Sequence, residues 1–471
     1  MSFEIEGEYN TATVKTSKSK NDAEEASLDQ MQTMADHESC YGDSDIVIMP
    51  DHHFGKGAVI GFTMPVKDRI VPNLVGVDCG CGMYAVNVGK TLLGMVGDEV
   101  LEEIDQRIRS KVPLGFDVHD RSDYHMHNDF PWSLCQQKLN SFVKNTDFES
   151  IDVQYSGEYF NDLCNRVGYD TTRAINSVGS LGGGNHFIEI GEGSSGNTWV
   201  IVHTGSRGIG AEIANYWQEK AHEATFQRNA DVEIPKSEWK YLDAPGHGIK
   251  LDEGDEYVVV KAGDIEINRE AILEDYDGQA IEGKFGQLKQ YMNAGKDDKS
   301  DLDYLEGEEA HGYITDMIFA QTYASQSRRK IAKAVADAIG GVHKDSIESV
   351  HNYIDFNDGV IRKGACRAHE GERLIIPFNI EYGTLICEGL GSEEWNNSAP
   401  HGAGRQMSRT GAKSQFSDED FTAQTEGVYT SSRPIDEIPG AYKPPEEIES
   451  AIGETATVVD RVKPVLNIKD D

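Results

Sequence analysis

No stretch of this chain is long and apolar enough to span a bilayer as a helix, so no membrane partner is expected. The opening residues, Met1-Ser2-Phe3-Glu4-Ile5-Glu6, lack the basic-then-apolar layout of a signal peptide, and a cytoplasmic location is expected. Cysteine is scarce: seven among 471 residues, too few and too scattered for a disulfide framework. Cys79 and Cys81 stand too close for an easy mutual bridge, which leaves reduced thiols or metal ligands. Positive charge is scarce as well, with 44 Lys and Arg against 81 Asp and Glu and a formal net charge of −37. That balance excludes broad, nonspecific nucleic-acid binding through a basic face, although a local basic groove remains open. The glycine-lysine signature of a Walker phosphate loop and the cysteine pairs of a zinc ribbon are both missing.

Glycine is abundant, at 48 residues without a collagen-like period, and implies many tight turns. Ile46-Val47-Ile48-Met49-Pro50 and Met83 to Val88 read as strands. Phe187–Ile190 and Thr198–Val202 read as a hairpin turning through Gly191 to Asn197. Arg373–Ile376 and Thr384–Cys387 are further strands. Helical spacing predicts helices near Ala23–Ala35, over Leu101–Ile108 and Gly208–Ala224, and over Tyr313–Ile339 with Gly340-Gly341 as its stop. The polar stretch Asp117 to Glu158 reads as loop, with His119, His125 and His127 on the surface. The acidic runs Asp22–Asp29, Asp252–Glu256, Asp297–Glu309 and Asp418–Asp420 read as solvated loops. Residues 1–45 form a variable N-terminal segment, and 235–300 an acidic insertion. The expected fold is α+β, one large domain spanning 1–471, with mixed sheets that converge glycine-framed loops on a central site.

Five short segments carry the chemistry. In Asp78-Cys79-Gly80-Cys81-Gly82, a turn can aim a carboxylate and a thiolate at one point, or it can be a structural turn with an inert thiol. His186 follows Gly182-Gly183-Gly184-Asn185. His203 ends an apolar strand and precedes Thr204-Gly205-Ser206-Arg207 and a helix, where amides and the helix end favour an anion and Arg207 could grip a phosphate. His351-Asn352-Tyr353 offers one more imidazole. His401-Gly402-Ala403-Gly404-Arg405 suits a histidine that attacks phosphorus while amides and arginine hold the oxygens, or a further metal ligand. Taken together, the segments read as a metal-dependent phosphoryl- or nucleotidyl-transfer enzyme.

The same segments resemble the RtcB-type RNA-splicing ligases. The likeness runs in order through Pro50–Gly57, Gly76–Met83, Leu181–Glu189, His203–Gly208, His351-Asn352, Arg362–Ala365, His401–Arg409, Asp436–Lys443 and Pro464–Lys469. It implies two manganese ions, one held by Asp78, Cys81 and His186, the other by Cys81, His203 and His351. It implies that His401 takes GMP from GTP. Asn185, His186, Phe187, Ile188, Glu189, His351, Asn352, His401, Gly402, Ala403 and Gly404 would contact the guanylate. Glu189 and Lys469 would hold the base near Tyr442, and Pro377, Phe378, Asn379, Ile380 and Thr384 would line the same pocket. The implied partners are RNA ends bearing a 3′-phosphate or 2′,3′-cyclic phosphate and ends bearing a 5′-hydroxyl, with an activating protein in some relatives.

Pro377-Phe378-Asn379-Ile380 stands where the family usually has Pro-Gly-Ser-Met, and Ser327 where it usually has asparagine. These departures suit a divergent paralogue used in RNA repair. A cyclic phosphoesterase and a non-catalytic RNA-binding relative are the alternatives. Any RNA surface would draw on Lys56, Lys67, Arg69, Arg207, Arg328, Arg362, Lys363, Arg367, Arg405 and Arg409.

Overall fold

Two sheets meet where the glycine-framed segments change from strand to turn. A computed structural model describes residues 2–16, 20, 24–91, 93–243, 257–293 and 299–470. The first sheet has six strands, in the order Ser2–Glu6, Thr11–Lys15, Ile46–His53, Ile60–Pro65, Val360–Lys363, Asn352–Ile354. It is antiparallel except where Thr11–Lys15 runs parallel to Ile46–His53. The second has seven, in the order Asp345–Val350, Gly82–Asn87, Thr198–Thr204, Phe187–Glu192, Ala456–Ile468, Gly383–Gly389, Arg373–Asn379. His351 is the residue between Asp345–Val350 of one sheet and Asn352–Ile354 of the other, so it sits where the chain crosses between them. The expected α+β class with mixed sheets is the one observed.

The strand Gly82–Asn87 pairs on one side with Thr198–Thr204 and on the other with Asp345–Val350, with Gly82 opposite both Thr204 and Val350. That register puts Cys81, His203 and His351 at one end of three neighbouring strands. The expected hairpin is present as Phe187–Glu192 against Thr198–Thr204. Its first strand alternates faces: Ile188 and Ile190 enter the core with Val202, and Phe187 and Glu189 face the other way.

Helices cover the second sheet. Gly307–Ala338 runs 32 residues, is almost wholly buried along its middle, and ends at Gly340 with φ +68°. On it, Arg328 is fully buried. Its Nη1 donates to the carbonyls of Gly80, at 2.7 Å, and Thr204, at 2.9 Å. Its Nη2 reaches Glu348 Oε1 at 2.9 Å. One guanidinium thus pins the turn carrying Cys81 to the strand end carrying His203. We expect Arg328→Met to lower unfolding stability by about 3–5 kcal/mol, because it takes the donor from the Gly80 and Thr204 carbonyls and the buried cation from Glu348, which keeps only Arg329 and Ser325. Urea titration of both proteins measures this, and a loss within 1 kcal/mol of zero, on the order of a surface change, would contradict it.

Three sequence expectations need correction. Asp117–Glu158 is not all loop: Met126–Asp129 and Trp132–Asn145 are helices, the latter burying Cys135, Leu139 and Phe142 at helical spacing. His125 and His127 are exposed and His119 half-buried, as expected of surface histidines. The acidic run beyond Lys299 is not solvated, since Leu302, Tyr304 and Leu305 enter the core and buried Asp303 meets His222 Nδ1 at 2.9 Å. Asp418–Asp420 is the first turn of helix Asp418–Gln424, capped reciprocally by Ser417 and Asp420. The expected helix near residue 23 is found as Glu25–Ala35. The acidic run 252–256 and the start of the run at 22 lie outside the described residues. Within 231–293, short strands and the helices Arg269–Asp275 and Gln279–Met292 surround a small core of their own that includes Ile234, Leu242, Ile272 and Leu288. No helix among the described residues is long and apolar enough to cross a membrane.

Candidate metal centre and nucleotide cavity

The turn before Gly82 is closed by Cys81 N donating to Asp78 O, at 3.1 Å. It delivers Cys81 Sγ to 3.5 Å from His186 Nε2 and 3.3 Å from His203 Nε2. His203 Nε2 lies 3.2 Å from His351 Nε2, and Asp78 Oδ2 lies 3.0 Å from His186 Nε2. The five side chains form two sets, Asp78–Cys81–His186 and Cys81–His203–His351, with the thiol common to both. Close packing of backbone makes room for this. A Cβ on Gly205 would stand 2.0 Å from Asp78 Oδ1, so the residue after Thr204 has to be glycine.

The hydrogen bonds fix what these rings present. His186 Nδ1 lies 3.1 Å from the Leu181 carbonyl, and His203 Nδ1 lies 3.1 Å from the Asn185 carbonyl. A carbonyl only accepts, so both Nδ1 atoms carry hydrogen, and in both rings Nε2 is the atom that faces the cluster. Nε2 atoms, a carboxylate oxygen and a thiol sulfur gathered at these distances are spaced to share a cation. Burial, and then the neighbouring histidines, pushes His203 and His351 well below the usual imidazole range. Burial, and then Asp78, pushes the Cys81 thiol well up. Removal from water works against the Asp78 carboxylate, but His186 holds it at about 2. Neutral imidazoles, a carboxylate and a thiol that a divalent cation would deprotonate are a donor set that fits transition metals.

His401 follows the short strand Ser398–Pro400, its ring centroid 5.1 Å from that of His351. Its Nδ1 lies 2.7 Å from Asp51 Oδ2, and the amides of His401 and Gly402 donate to the same oxygen at 3.1 and 3.2 Å. Asp51 is fully buried. Burial alone would raise its carboxyl; His401, by charge and hydrogen bond, and then Lys443 hold it below the ordinary range. The carboxylate therefore fixes the orientation of the His401 ring through its Nδ1 hydrogen. Gly404, at φ +68°, lets its turn pass over the Asp51 carbonyl, which a Cβ would meet at 2.3 Å.

Beside these rings opens a cavity of about 300 Å³. Asn185, Phe187, Glu189, His351, Pro377, Phe378, Asn379, Ile380, Thr384, the turn His401 to Gly404, Tyr442 and Lys469 all line it. Three expected contacts are not brought to it. Ile188 points into the core on the opposite face of its strand, Asn352 Oδ1 accepts from Gly364 N at 3.0 Å, and His186 belongs to the metal cluster. At the far end Glu189 is buried and accepts from Thr384 Oγ1 at 2.9 Å; burial pushes its carboxyl up to about 8. Lys469 Nζ lies 3.1 Å from Glu437, which also holds Arg409 at 2.9 Å, Arg405 at 3.3 Å and the Tyr442 hydroxyl. Phe378 packs against Tyr382, and Asn379 Oδ1 accepts from the amides of Glu381 and Tyr382, so these two unusual residues build the turn behind the wall.

Sequence reasoning did not single out Asp51 or Glu437. The only signal for either was position, inside the Pro50–Gly57 and Asp436–Lys443 segments. The expected basic surface is mostly internal. Arg328, Arg362 and Lys363 are buried, Lys67 and Arg69 are paired with acids, and Arg367 with Asp355 and Glu372. Arg207 turns to the Gly115 carbonyl, at 2.7 Å, and Ser180 Oγ, at 3.1 Å, instead of towards an anion site. Lys56 and Arg409 are exposed. Ser327 Oγ is engaged by Gly179 N at 3.0 Å.

A family model described as tRNA-splicing ligase RtcB matches residues 30–262 and 246–470. A protein of Escherichia coli (strain K12) named RNA-splicing ligase RtcB is 30% identical over 446 residues, covering 90% of each chain. Proteins named tRNA-splicing ligase RtcB are 24% identical over 498 residues in Nanoarchaeum equitans, covering 90% of this chain and 88% of that one, and 23% over 470 residues in Thermococcus kodakarensis, covering 89% and 86%. The matched residues take in every side chain that meets at this centre, and at that extent the chain belongs to the RtcB family.

Proposed function

We propose that this protein is an RNA ligase that joins ends bearing a 3′-phosphate or 2′,3′-cyclic phosphate to ends bearing a 5′-hydroxyl, through a guanylylated His401. Family membership supports the ligase class. The observation that carries the finer reading is His401 itself: Nδ1 fixed on Asp51, no described residue bonded to Nε2, beside a cluster of metal donors and on the wall of a cavity of about 300 Å³.

In this reading GTP lies with its base against Glu189 and Lys469. Nε2 of His401 bonds to the α-phosphorus and pyrophosphate leaves; the positive ring that results is held by the Asp51 carboxylate. A 2′,3′-cyclic end is first opened by water to a 3′-phosphate and a 2′-hydroxyl; an oxygen of the RNA 3′-phosphate then takes the guanylyl group from His401, which returns to a neutral imidazole. The 5′-hydroxyl attacks the activated RNA phosphorus, GMP leaves and the strand is closed. Manganese ions held by Asp78, Cys81, His186, His203 and His351 would draw charge off the phosphoryl oxygens. In this reading the amides of Ala403 and Gly404, on the cavity wall, hold those oxygens.

Incubation with labelled GTP and manganese tests the reading. An acid-labile label that requires the metal and vanishes in His401→Ala is expected. Label retained by His401→Ala, or none in the parent protein with metal bound, would refute it.

Glu189 supplies a second test. With its carboxyl at about 8, the free protein holds Glu189 mostly protonated at pH 7. Guanine offers two N–H donors, which favour the carboxylate and lower that value. Binding then expels the proton, so affinity rises with pH until about 8 is passed. Calorimetry of GMP binding at pH 7 in buffers of different ionisation enthalpy should register release of about one proton, and none in Glu189→Gln. An enthalpy independent of buffer would remove Glu189 from base recognition.

A further inference from the structure

One further imidazole of the cavity wall, His53, has no part in the chemistry above. His53 ends the strand Ile46–His53, two residues after Asp51. Its Nδ1 lies 3.1 Å from the Asp51 carbonyl oxygen. That oxygen only accepts, so Nδ1 carries the hydrogen and Nε2 carries a lone pair. No described residue is seen bonded to Nε2, and the ring forms part of the cavity wall together with His401. Asp51 therefore sets two histidines at once. Its carboxylate orients His401 through Nδ1, and its main-chain carbonyl orients His53 through Nδ1.

The two rings are suited to different tasks. Burial, and then the charges of His401 and Lys443, pushes His53 down to about 4, against the pull of the Asp51 carbonyl and carboxylate. A ring that stays neutral at working pH cannot attract phosphate oxygens, which need a donor or a positive charge. What it can do is accept a hydrogen bond. The donors that a nucleotide or an RNA end brings near its phosphates are sugar hydroxyls. We infer that His53 Nε2 accepts a hydrogen bond from a sugar hydroxyl of the bound nucleotide or of the RNA end, and so discriminates ribose from deoxyribose. This rests on the reading of the cavity as the guanylate site. The two sources of the hydroxyl share one chemistry and are separated by the substrate used.

The test compares the parent protein, His53→Ala and His53→Gln. In the first arm each is labelled with GTP, 2′-deoxy-GTP and 3′-deoxy-GTP. In the second, each seals RNA whose terminal 3′-phosphate nucleotide carries ribose or 2′-deoxyribose. One lost hydrogen bond predicts that the parent protein prefers the hydroxyl-bearing substrate by about 5- to 10-fold in one arm. His53→Ala should bring that ratio close to 1 by losing rate on the hydroxylated substrate alone. His53→Gln, whose amide oxygen can stand in for Nε2, should restore part of the preference. Manganese binding should be unchanged in both variants. Ratios that are the same in parent and His53→Ala in both arms overturn the inference, as does loss of a manganese ion in His53→Ala, which would make His53 a ligand. A parent protein that takes no label at all sinks the proposed function itself, an outcome distinct from either.

Discussion

Asp51→Ala should lower the rate of His401 guanylylation by on the order of a thousandfold while leaving the metal cluster intact. Asp51 Oδ2 receives three hydrogens, from His401 Nδ1 and from the amides of His401 and Gly402. Alanine removes all three acceptor contacts, so the ring loses both its fixed tautomer and its orientation. Asp51→Asn separates the two contributions. Its amide oxygen can occupy the place of Oδ2, and its nitrogen the place of Oδ1, which has no partner among the described residues. Asparagine thus keeps the hydrogen bond and removes only the negative charge that balances the ring once phosphorus is attached. Its loss should be intermediate, about tenfold to a hundredfold. Single-turnover labelling with GTP measures all three proteins. Equal rates in the parent and Asp51→Ala would show that His401 needs no partner.

Cys81→Ser should weaken both metal sites together, by more than about 100-fold in affinity. The ground is that Sγ belongs to both donor sets, whereas Asp78 and His186 belong to one and His203 and His351 to the other. A hydroxyl is a poor substitute, because it does not ionise under conditions in which a metal deprotonates a thiol. His186→Ala, by contrast, should remove one site and spare the other. Cys79→Ser provides the control from the same turn. Cys79 is buried with Sγ 3.2 Å from the Gly210 carbonyl, away from the cluster, and its replacement should leave binding unchanged. Manganese titration followed by the resonance of the free ion would count the sites. If Cys81→Ser kept one site at parental strength, the thiol would be a ligand to a single ion.

How much of this could be read in advance depended on the range of the interaction. The strand through Phe187 and Glu189 was legible because strand pattern is local, but its alternation was not applied, and Ile188 was expected in the cavity with its two neighbours. Cys81 and Asp78 were legible because a four-residue turn brings them together unaided. Asp51 was not, since its partner lies 350 residues away and nothing in Pro50-Asp51-His52 marks the carboxylate as the support of a remote imidazole. Arg328 was misassigned to the surface for the opposite reason. Arginine is exposed by default, and its burial is tolerable only because Glu348 and two turn carbonyls surround it. The helix Trp132–Asn145 was hidden by polar neighbours, although Cys135, Leu139 and Phe142 carried the spacing. Glu437 was hidden because a buried acid announces itself only through the cations that gather on it.

The strand Ala456–Ile468 lies between Phe187–Glu192 and Gly383–Gly389, although it follows every other strand of its sheet in the chain. During synthesis the polypeptide leaves the ribosome from its N-terminal side, so both neighbours emerge with unpaired edges and wait for it. Until that segment appears, the sheet is two halves without a middle, and Asn467 and Lys469 are missing from the cavity wall. Activity can therefore be acquired only late, after translation has passed the whole of that strand. A ribosome stalled after Gly383–Gly389 has emerged and before Ala456–Ile468 follows would display two open edges ready to pair with other nascent chains.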